Sequence, residues 1–318
     1  MSDAKSSETG EYPPLKPPQN TAPPKAMSSR VEVDFGTASH AGYFRQNNED
    51  SYLVARVERS LTTVATNLPG GCIPDQFSER TFGMVVADGL GGSAAGEVAS
   101  QTALSTLVNL VLHTPDWIMR DSYSEAERVM NRMADRYRRI GAALDSLAEG
   151  DPDLAGMATT MTLAVSNGAD LFLTHVGDSR AYLFREAELF RLTHDHTYAQ
   201  DLADRGLIRQ DEVAAHRFRH VLTRTVGNSG SEIDVDVRQL LLRDGDQLLL
   251  CTDGLTEMVP NGEIQKLLES GATAAASCKA LIEAALAAGG KDNVTAVLAR
   301  YRFPATWTGT TGLDQDLD

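Results

Sequence analysis

Cysteine is scarce: Cys72, Cys251 and Cys278 are the only three, odd in number and far apart. They write neither a disulfide framework nor a paired zinc-ligand motif, and a reducing, cytoplasmic setting fits them. Long apolar runs are missing too. No stretch reaches the roughly 18 uninterrupted apolar residues of a membrane span, and the N-terminal region has no signal-type apolar core. Basic charge is in deficit, with 29 Lys+Arg against 44 Asp+Glu and a net charge of -15 at pH 7. A surface of that sign repels nucleic-acid backbones and anionic lipid, so neither is an expected partner. Carboxylates in excess can instead converge on hard cations, which prefer oxygen ligands.

With 318 residues and 42% hydrophobic content, the chain is long enough to bury a large core. Residues 1–30 nearly lack aliphatics and carry Pro13-Pro14, Pro17-Pro18 and Pro23-Pro24. Such a composition cannot offset its ordering entropy by burial and reads as a disordered, Pro-rich tail. Residues 304–318 read likewise, which leaves one domain over 31–303.

Inside that span, Thr81–Ala87 reads as a buried strand running into Asp88-Gly89. Ala95, Ala99, Ala103, Leu107 and Val111 step by four, one face of a helix. Ala126, Val129, Met130, Met133, Tyr137, Ile140, Leu144 and Leu147 step by three and four and mark a second, longer helix behind a capping box Ser124-x-x-Glu127. Four short β-rich runs between 159 and 192 read as an antiparallel meander, and 197–228 as a polar helical segment. Strands near 233–241, 246–251 and 294–301 and helices near 261–285 complete an α+β sandwich, sheet on sheet with helices outside.

Acidic residues recur at strand ends beside Gly or Asn: Glu49-Asp50, Asp88-Gly89, Gly177-Asp178, Asp253-Gly254 and Asp292-Asn293. A single Asp-Gly pair is most often just a turn. Five at strand exits are different, because several carboxylates gathered in one place need cations to stay ionised together. Ligation by carboxylate, carbonyl and water suits magnesium or manganese rather than zinc. A competing pattern, Gly89-x-Gly91-x-x-Ala94, fits a dinucleotide fingerprint, but no acidic residue ends a second strand about 20 residues on. Tight packing by Gly91, Gly92 and Ala94 explains it better.

Arg45-Gln-Asn-Asn-Glu49-Asp50, Val86-Ala87-Asp88-Gly89-Leu90-Gly91-Gly92, Gly156-Met-Ala-Thr159-Thr160, Val176-Gly177-Asp178-Ser179-Arg180, Leu192-Thr-His-Asp195-His196, Cys251-Thr252-Asp253-Gly254 and Lys291-Asp292-Asn293-Val294-Thr295 follow one another in order. This succession resembles the protein phosphatase 2C (PPM) family, bacterial type, across about residues 33–301. The resemblance implies a central antiparallel β-sandwich flanked by helix pairs, with a helical flap over about 195–227. It implies two manganese or magnesium ions at one end, hydrolysing phosphoserine and phosphothreonine in proteins by attack of a metal-bridging water. Asp88 and the Gly89 carbonyl, Asp253 and Asp292 would be metal ligands, with Asp50 contacting a metal or its waters. Glu49 would hold such waters, Arg45 would clamp phosphate, and Asp178 would help bind a third, weaker ion. Expected partners are phosphoproteins, products of Ser/Thr kinases, met by a monomer. No Cys-x5-Arg string is present, consistent with a reaction that uses no cysteine nucleophile.

Two departures stand out. Leu90 occupies a position where many eukaryotic members carry a histidine acid, leaving His40, His194 and His196 as substitutes. Residues 56–80 form an insert, read as surface ornament rather than a partner-binding element. Within the flap, Arg217, Arg219, His220 and Arg224 could attract phosphopeptide. The alternative on the same fold is a catalytically weak or inactive phosphoprotein-binding regulator.

Overall fold

A computed structural model describes residues 28–91, 95–113, 123–228 and 233–304, with side chains of the second long helix described from 129 onward. Most of both expected tails, and the Gly92 and Ala94 of the glycine-rich turn, lie outside those residues. Ser28–Arg30, inside the range composition assigns to the tail, form a 3-10 turn held to the sheet. Ser28 is buried there, and its Oγ accepts a hydrogen bond from the Arg80 N–H at 3.2 Å.

In chain order the elements are β1 (Glu32–His40), β2 (Asp50–Thr62), β3 (Gln76–Leu90), α1 (Ala95–His113), α2 (Tyr123–Gly150), β4 (Ala158–Thr159), β5 (Met161–Asn167), β6 (Asp170–Val176), β7 (Arg180–Arg185), β8 (Glu188–Arg191), α3 (Tyr198–Asp204), β9 (Asp236–Leu241), β10 (Gln247–Cys251), α4 (Asp253–Thr256), α5 (Asn261–Ser270), α6 (Ala274–Ala287) and β11 (Val294–Arg302). One sheet runs β1-β11-β10-β7-β8 and the other β2-β3-β5-β6-β9, with β4 added to β3. Every strand pair is antiparallel.

Alternation along the strands explains how two sheets and four helices stack into layers. Met84 and Val86 point into the space between the sheets, facing Leu183, Leu248, Leu250 and Val297. Their neighbours Val85 and Ala87 point outward onto Ala99, Ala103 and Leu107 of α1 and Met133, Tyr137 and Ile140 of α2. On the far side Leu249, Cys251, Ala296 and Leu298 meet Ile264 and Leu268 of α5 and Cys278 and Leu281 of α6. The central strands are therefore covered on both faces, which is why they read as unbroken apolar runs. Each such side chain contributes about 1.5–3 kcal/mol through burial. Tyr137 also has a polar tip, and its hydroxyl lies 3.2 and 3.1 Å from the carbonyls of Met161 and Thr174. The expected stripe on α2 ends at Leu144, since Leu147 is exposed.

Two expectations need correction. The runs between 159 and 192 are not one meander: β5 and β6 pair in one sheet, whereas β7 and β8 pair in the other. The chain crosses between sheets at Gly177–Ser179, and local alternation carries no mark of that crossing. The insert has sheet at both ends, where β2 and β3 pair out to Thr62↔Gln76, past the last β5 partner of β3 at Thr81, with 63–75 between them outside the strands; this leaves the reading of the insert as it stood. The segment 197–228 is helical only at α3 and in a 3-10 turn at Gln210–Ala215. No helix among the described residues is long and apolar enough to cross a membrane.

Candidate metal centre

Strand pairing does most of the gathering. Asp50 at the start of β2 sits opposite Asp88 near the end of β3, while β10 delivers Asp253 beside the start of β11, which follows Asp292. Three close approaches of backbone fix this geometry. A Cβ on Gly89 would lie 1.9 Å from the Gly96 carbonyl oxygen, and one on Gly254 would lie 2.0 Å from the Asn293 carbonyl oxygen. A Cβ on Gly96 would lie 2.9 Å from Glu49 Oε1, so only glycine leaves room for that carboxylate.

Asn293 ties the loops together. Its Oδ1 accepts from the Glu49 N–H at 2.7 Å, and its Nδ2 donates to the Ala41 and Asn47 carbonyls at 2.9 Å each. Thr252 and Thr295 both donate to Asp50 Oδ2, at 2.8 and 2.7 Å. The other oxygen, Asp50 Oδ1, is buried and has no hydrogen-bond partner among the described residues. The three positioning residues stand inside the quoted motifs, yet nothing in their spacing announces these roles.

The electrostatics are those of an uncompensated cluster. Burial pushes Asp50 up to about 7 against the hydroxyls of Thr295 and Thr252, with Asp292 and Glu49 adding repulsion. Burial likewise raises Asp88 well above the ordinary carboxylate range, followed by the charges of Asp50, Asp253, Asp178 and Asp292. Asp253 is raised by burial, then by Asp178, Glu257 and Asp292, and Asp178 rises to about 7 through burial and Asp195. Glu49 moves up mainly through burial. Asp50, Asp88, Asp178 and Asp253 form no ion pair among the described residues. A hard dication fits such a site on chemical grounds, since it would quench the repulsion and give Asp50 Oδ1 a partner through its hydration shell.

Other expected residues fall as follows. Arg45 reaches the site, half exposed, with its Nη2 2.8 Å from Asp292 Oδ2. His194 Nε2 lies 2.7 Å from Asp204 Oδ2. His196 is buried, its Nδ1 accepting from the Gly177 N–H at 3.1 Å and its Nε2 3.2 Å from Asp236 Oδ2. His40 Nδ1 accepts from the Gly42 N–H at 2.9 Å. All three histidines are engaged in holding loops. A histidine that does approach a site carboxylate is His220, one ring nitrogen of which lies within 4.8 Å of oxygens of both Asp253 and Glu257. In the sequence it stands with Arg217, Arg219 and Arg224 as a candidate for attracting phosphopeptide, with no spacing to suggest a ligand.

The flap lies against this end. The Thr223 N–H donates to the His196 carbonyl and the Tyr198 N–H to the Val221 carbonyl. Thr159 and Val226 exchange backbone hydrogen bonds. Arg224 pairs with Asp234 and Asp236. Arg217 stacks over the Phe218 ring at 4.3 Å, and Arg219 lines a cavity of about 290 Å3 between flap and α4.

The chain belongs to the protein phosphatase 2C family, whose model matches residues 75–299. It is 35% identical over 266 residues to the serine/threonine protein phosphatase PstP of Mycobacterium tuberculosis, covering 83% of this chain and 44% of that protein. The chain thus spans less than half of that relative's length. The serine/threonine phosphatase stp of Listeria monocytogenes is 33% identical over 215 residues, 68% of this chain and 82% of the relative. Among solved structures, the catalytic domain of PstP in complex with two manganese ions matches with a TM-score of 0.66 at 33% identity, covering 86% of this chain and 99% of that one.

Proposed function

We propose that this protein is a metal-dependent protein-serine/threonine phosphatase that hydrolyses phosphomonoesters at the Asp88–Asp253–Asp292 end of the sandwich. The observation that carries this reading is the gathering of four carboxylates, Asp50 buried and Asp88, Asp178 and Asp253 partly exposed, none of them ion-paired among the described residues, beside the accessible guanidinium of Arg45. Asp88, the Gly89 carbonyl, Asp253 and Asp292 would hold two manganese or magnesium ions, while Glu49 and Asp50 Oδ1 accept hydrogen bonds from their hydration shells. Two bound dications supply Lewis acidity, lowering the pKa of water and neutralising phosphoryl charge.

The side chains do the rest. Arg45 turns from Asp292 to the phosphate, where its planar fork matches two oxygens. Asn293 keeps the Glu49 loop and the Asp292 loop in fixed register. Thr252 and Thr295 orient Asp50 so that only Oδ1 faces outward from their bonds. Leu90 offers no proton and His40, His194 and His196 are engaged elsewhere, so the departing alkoxide is protonated from water.

The test is turnover of p-nitrophenyl phosphate and a phosphothreonine peptide with and without manganese, beside an Asp253→Asn variant. Manganese-dependent turnover abolished by EDTA and reduced at least about 10³-fold by Asp253→Asn is the expected result. Manganese binding with no turnover would instead identify a phosphoprotein-binding regulator.

A further inference from the structure

The loop that carries Arg45 displays more apolar surface than a grip on phosphate uses. Phe44 is 74% exposed and Tyr43 66%, the most exposed phenylalanine and tyrosine among the described residues, and the two stand side by side next to Arg45. A single apolar side chain in water is ordinary. An adjacent aromatic pair beside a phosphate-binding arginine is not, since aromatic rings and arginine are the residues that recur where a partner is gripped.

The pair is also held in place. The Tyr43 N–H donates to the Gly290 carbonyl at 2.7 Å, and Asn293 binds the carbonyls of Ala41 and Asn47 on either side. Gly42 runs at φ 77°, and a Cβ there would lie 2.4 Å from the Asp292 carbonyl oxygen, so the turn presses directly on the loop before β11. The Tyr43 ring lies over Gly290, where an added Cβ would come within 2.9 Å of it, and meets the His40 ring edge-on at 6.1 Å. Arg45 reaches the same stretch at Asp292. A loop closed in this way has little freedom left to lose when a ligand settles on it. Covering Gly290 accounts for part of Tyr43, but Phe44 stays mostly in water.

We propose that Tyr43 and Phe44 form an apolar shelf beside the phosphate clamp, which selects phosphopeptides carrying a bulky apolar side chain within two residues of the phosphothreonine. The inference rests on the phosphatase reading and names a substrate feature that a metal centre cannot read. Neighbouring Cα atoms lie about 3.8 Å apart in the loop and in a peptide alike, so a phosphate on Arg45 brings the flanking residues to the spacing of Phe44 and Tyr43. A leucine or aromatic side chain laid on these rings removes apolar surface of both partners from water, whereas serine has almost none to give.

Steady-state hydrolysis with manganese compares a phosphothreonine peptide flanked by leucine on both sides with its serine-flanked counterpart, in wild type, Phe44→Ser, Phe44→Leu and Tyr43→Phe. Wild type is expected to prefer the leucine peptide about five- to tenfold in kcat/KM, the difference lying in KM. Phe44→Ser should bring the two peptides within about twofold of each other. Phe44→Leu and Tyr43→Phe keep apolar cover and should retain most of the preference. A loop merely loosened by Phe44→Ser would slow both peptides alike and leave their ratio standing, which overturns the shelf. So does an unmoved ratio with a change from dimer to monomer in sedimentation, which would assign the rings to contact between copies of the chain. Equal turnover of the two peptides by wild type overturns the shelf and leaves the phosphatase reading intact. No turnover of either overturns both.

Discussion

Strand β10 carries an aspartate at each end, and the two are treated in opposite ways. Before its first residue, Asp246 is buried and held by Arg185, whose Nε and Nη2 donate at 2.8 and 2.6 Å, with the Arg243 N–H adding a third bond at 2.7 Å. After its last residue, Asp253 is only partly covered and has no such partner among the described residues, and its carboxyl is pushed up by burial and by Asp178, Glu257 and Asp292. A fold that can place an arginine fork against one carboxylate could place it against the other. Asp195, four residues beyond the end of β8 and close to Asp178, is also given a fork, from Arg180 at 2.7–3.2 Å, with Arg191 alongside. The arginines outweigh the burial that would raise Asp195 and leave it lowered. Withheld cations, more than acidic residues as such, distinguish the functional end of this molecule.

Asp246→Asn gives the largest effect that tests this contrast. Leaving the Arg185 guanidinium without its charge partner should cost about 3 kcal/mol in urea unfolding, with kcat of the folded enzyme unchanged. Asp253→Asn should move stability the other way in EDTA at pH 8, by about 1–2 kcal/mol. The sign follows from the raised folded pKa values. Carboxylates such as Asp50 and Asp178, at about 7 when folded, bind protons more tightly in the folded chain. Their contribution is present at low pH and lost as pH rises past 7, so deleting one repelling charge relieves the metal-free protein. Equal destabilisation by both variants would dissolve the distinction between the two ends of β10.

His175 shows a third treatment, a buried group kept neutral. Burial, then His196, lowers it to about 3. Its unfolded counterpart takes up a proton near 6.5, so its contribution is full above that value and declines as pH falls towards 3. The expected slope is about 1.4 kcal/mol per pH unit for one proton. Stability measured against pH should lose that slope in His175→Gln, and coincident curves would remove His175 from the account. The smallest effect belongs to the flap. Arg217→Ala with Arg219→Ala should raise KM for a phosphopeptide several-fold, well under about 1.4 kcal/mol, and spare aryl phosphate. Equal loss on both substrates would deny these arginines a docking role.

The legible parts of the sequence were those where chemistry and local pattern coincide. Met84–Ala87 and Leu248–Cys251 are buried on both faces, so their apolar runs were visible, and the aspartates that follow them stood out by contrast. β1 and β2 were not picked out, because Glu32–His40 and Asp50–Thr62 bury only fragments of their surface and show no clean alternation. Hairpins can be read from neighbours in sequence, but the jump from β6 in one sheet to β7 in the other depends on partners more than 60 residues away. His220 was hidden for the same reason: it becomes a neighbour of Asp253 and Glu257 only when the flap folds back.

The place of β11 has a temporal consequence. The last of the described strands lies between β1 and β10, pairing with both. During synthesis β1 therefore waits through more than 250 residues for its neighbour, the kind of long-range closure that slows folding. Asn293, which staples the Glu49 loop, arrives at the same moment. A growing chain on the ribosome thus holds Asp50 and Asp88 without the strand that brings Asp253 and Asp292 to them until β11 emerges.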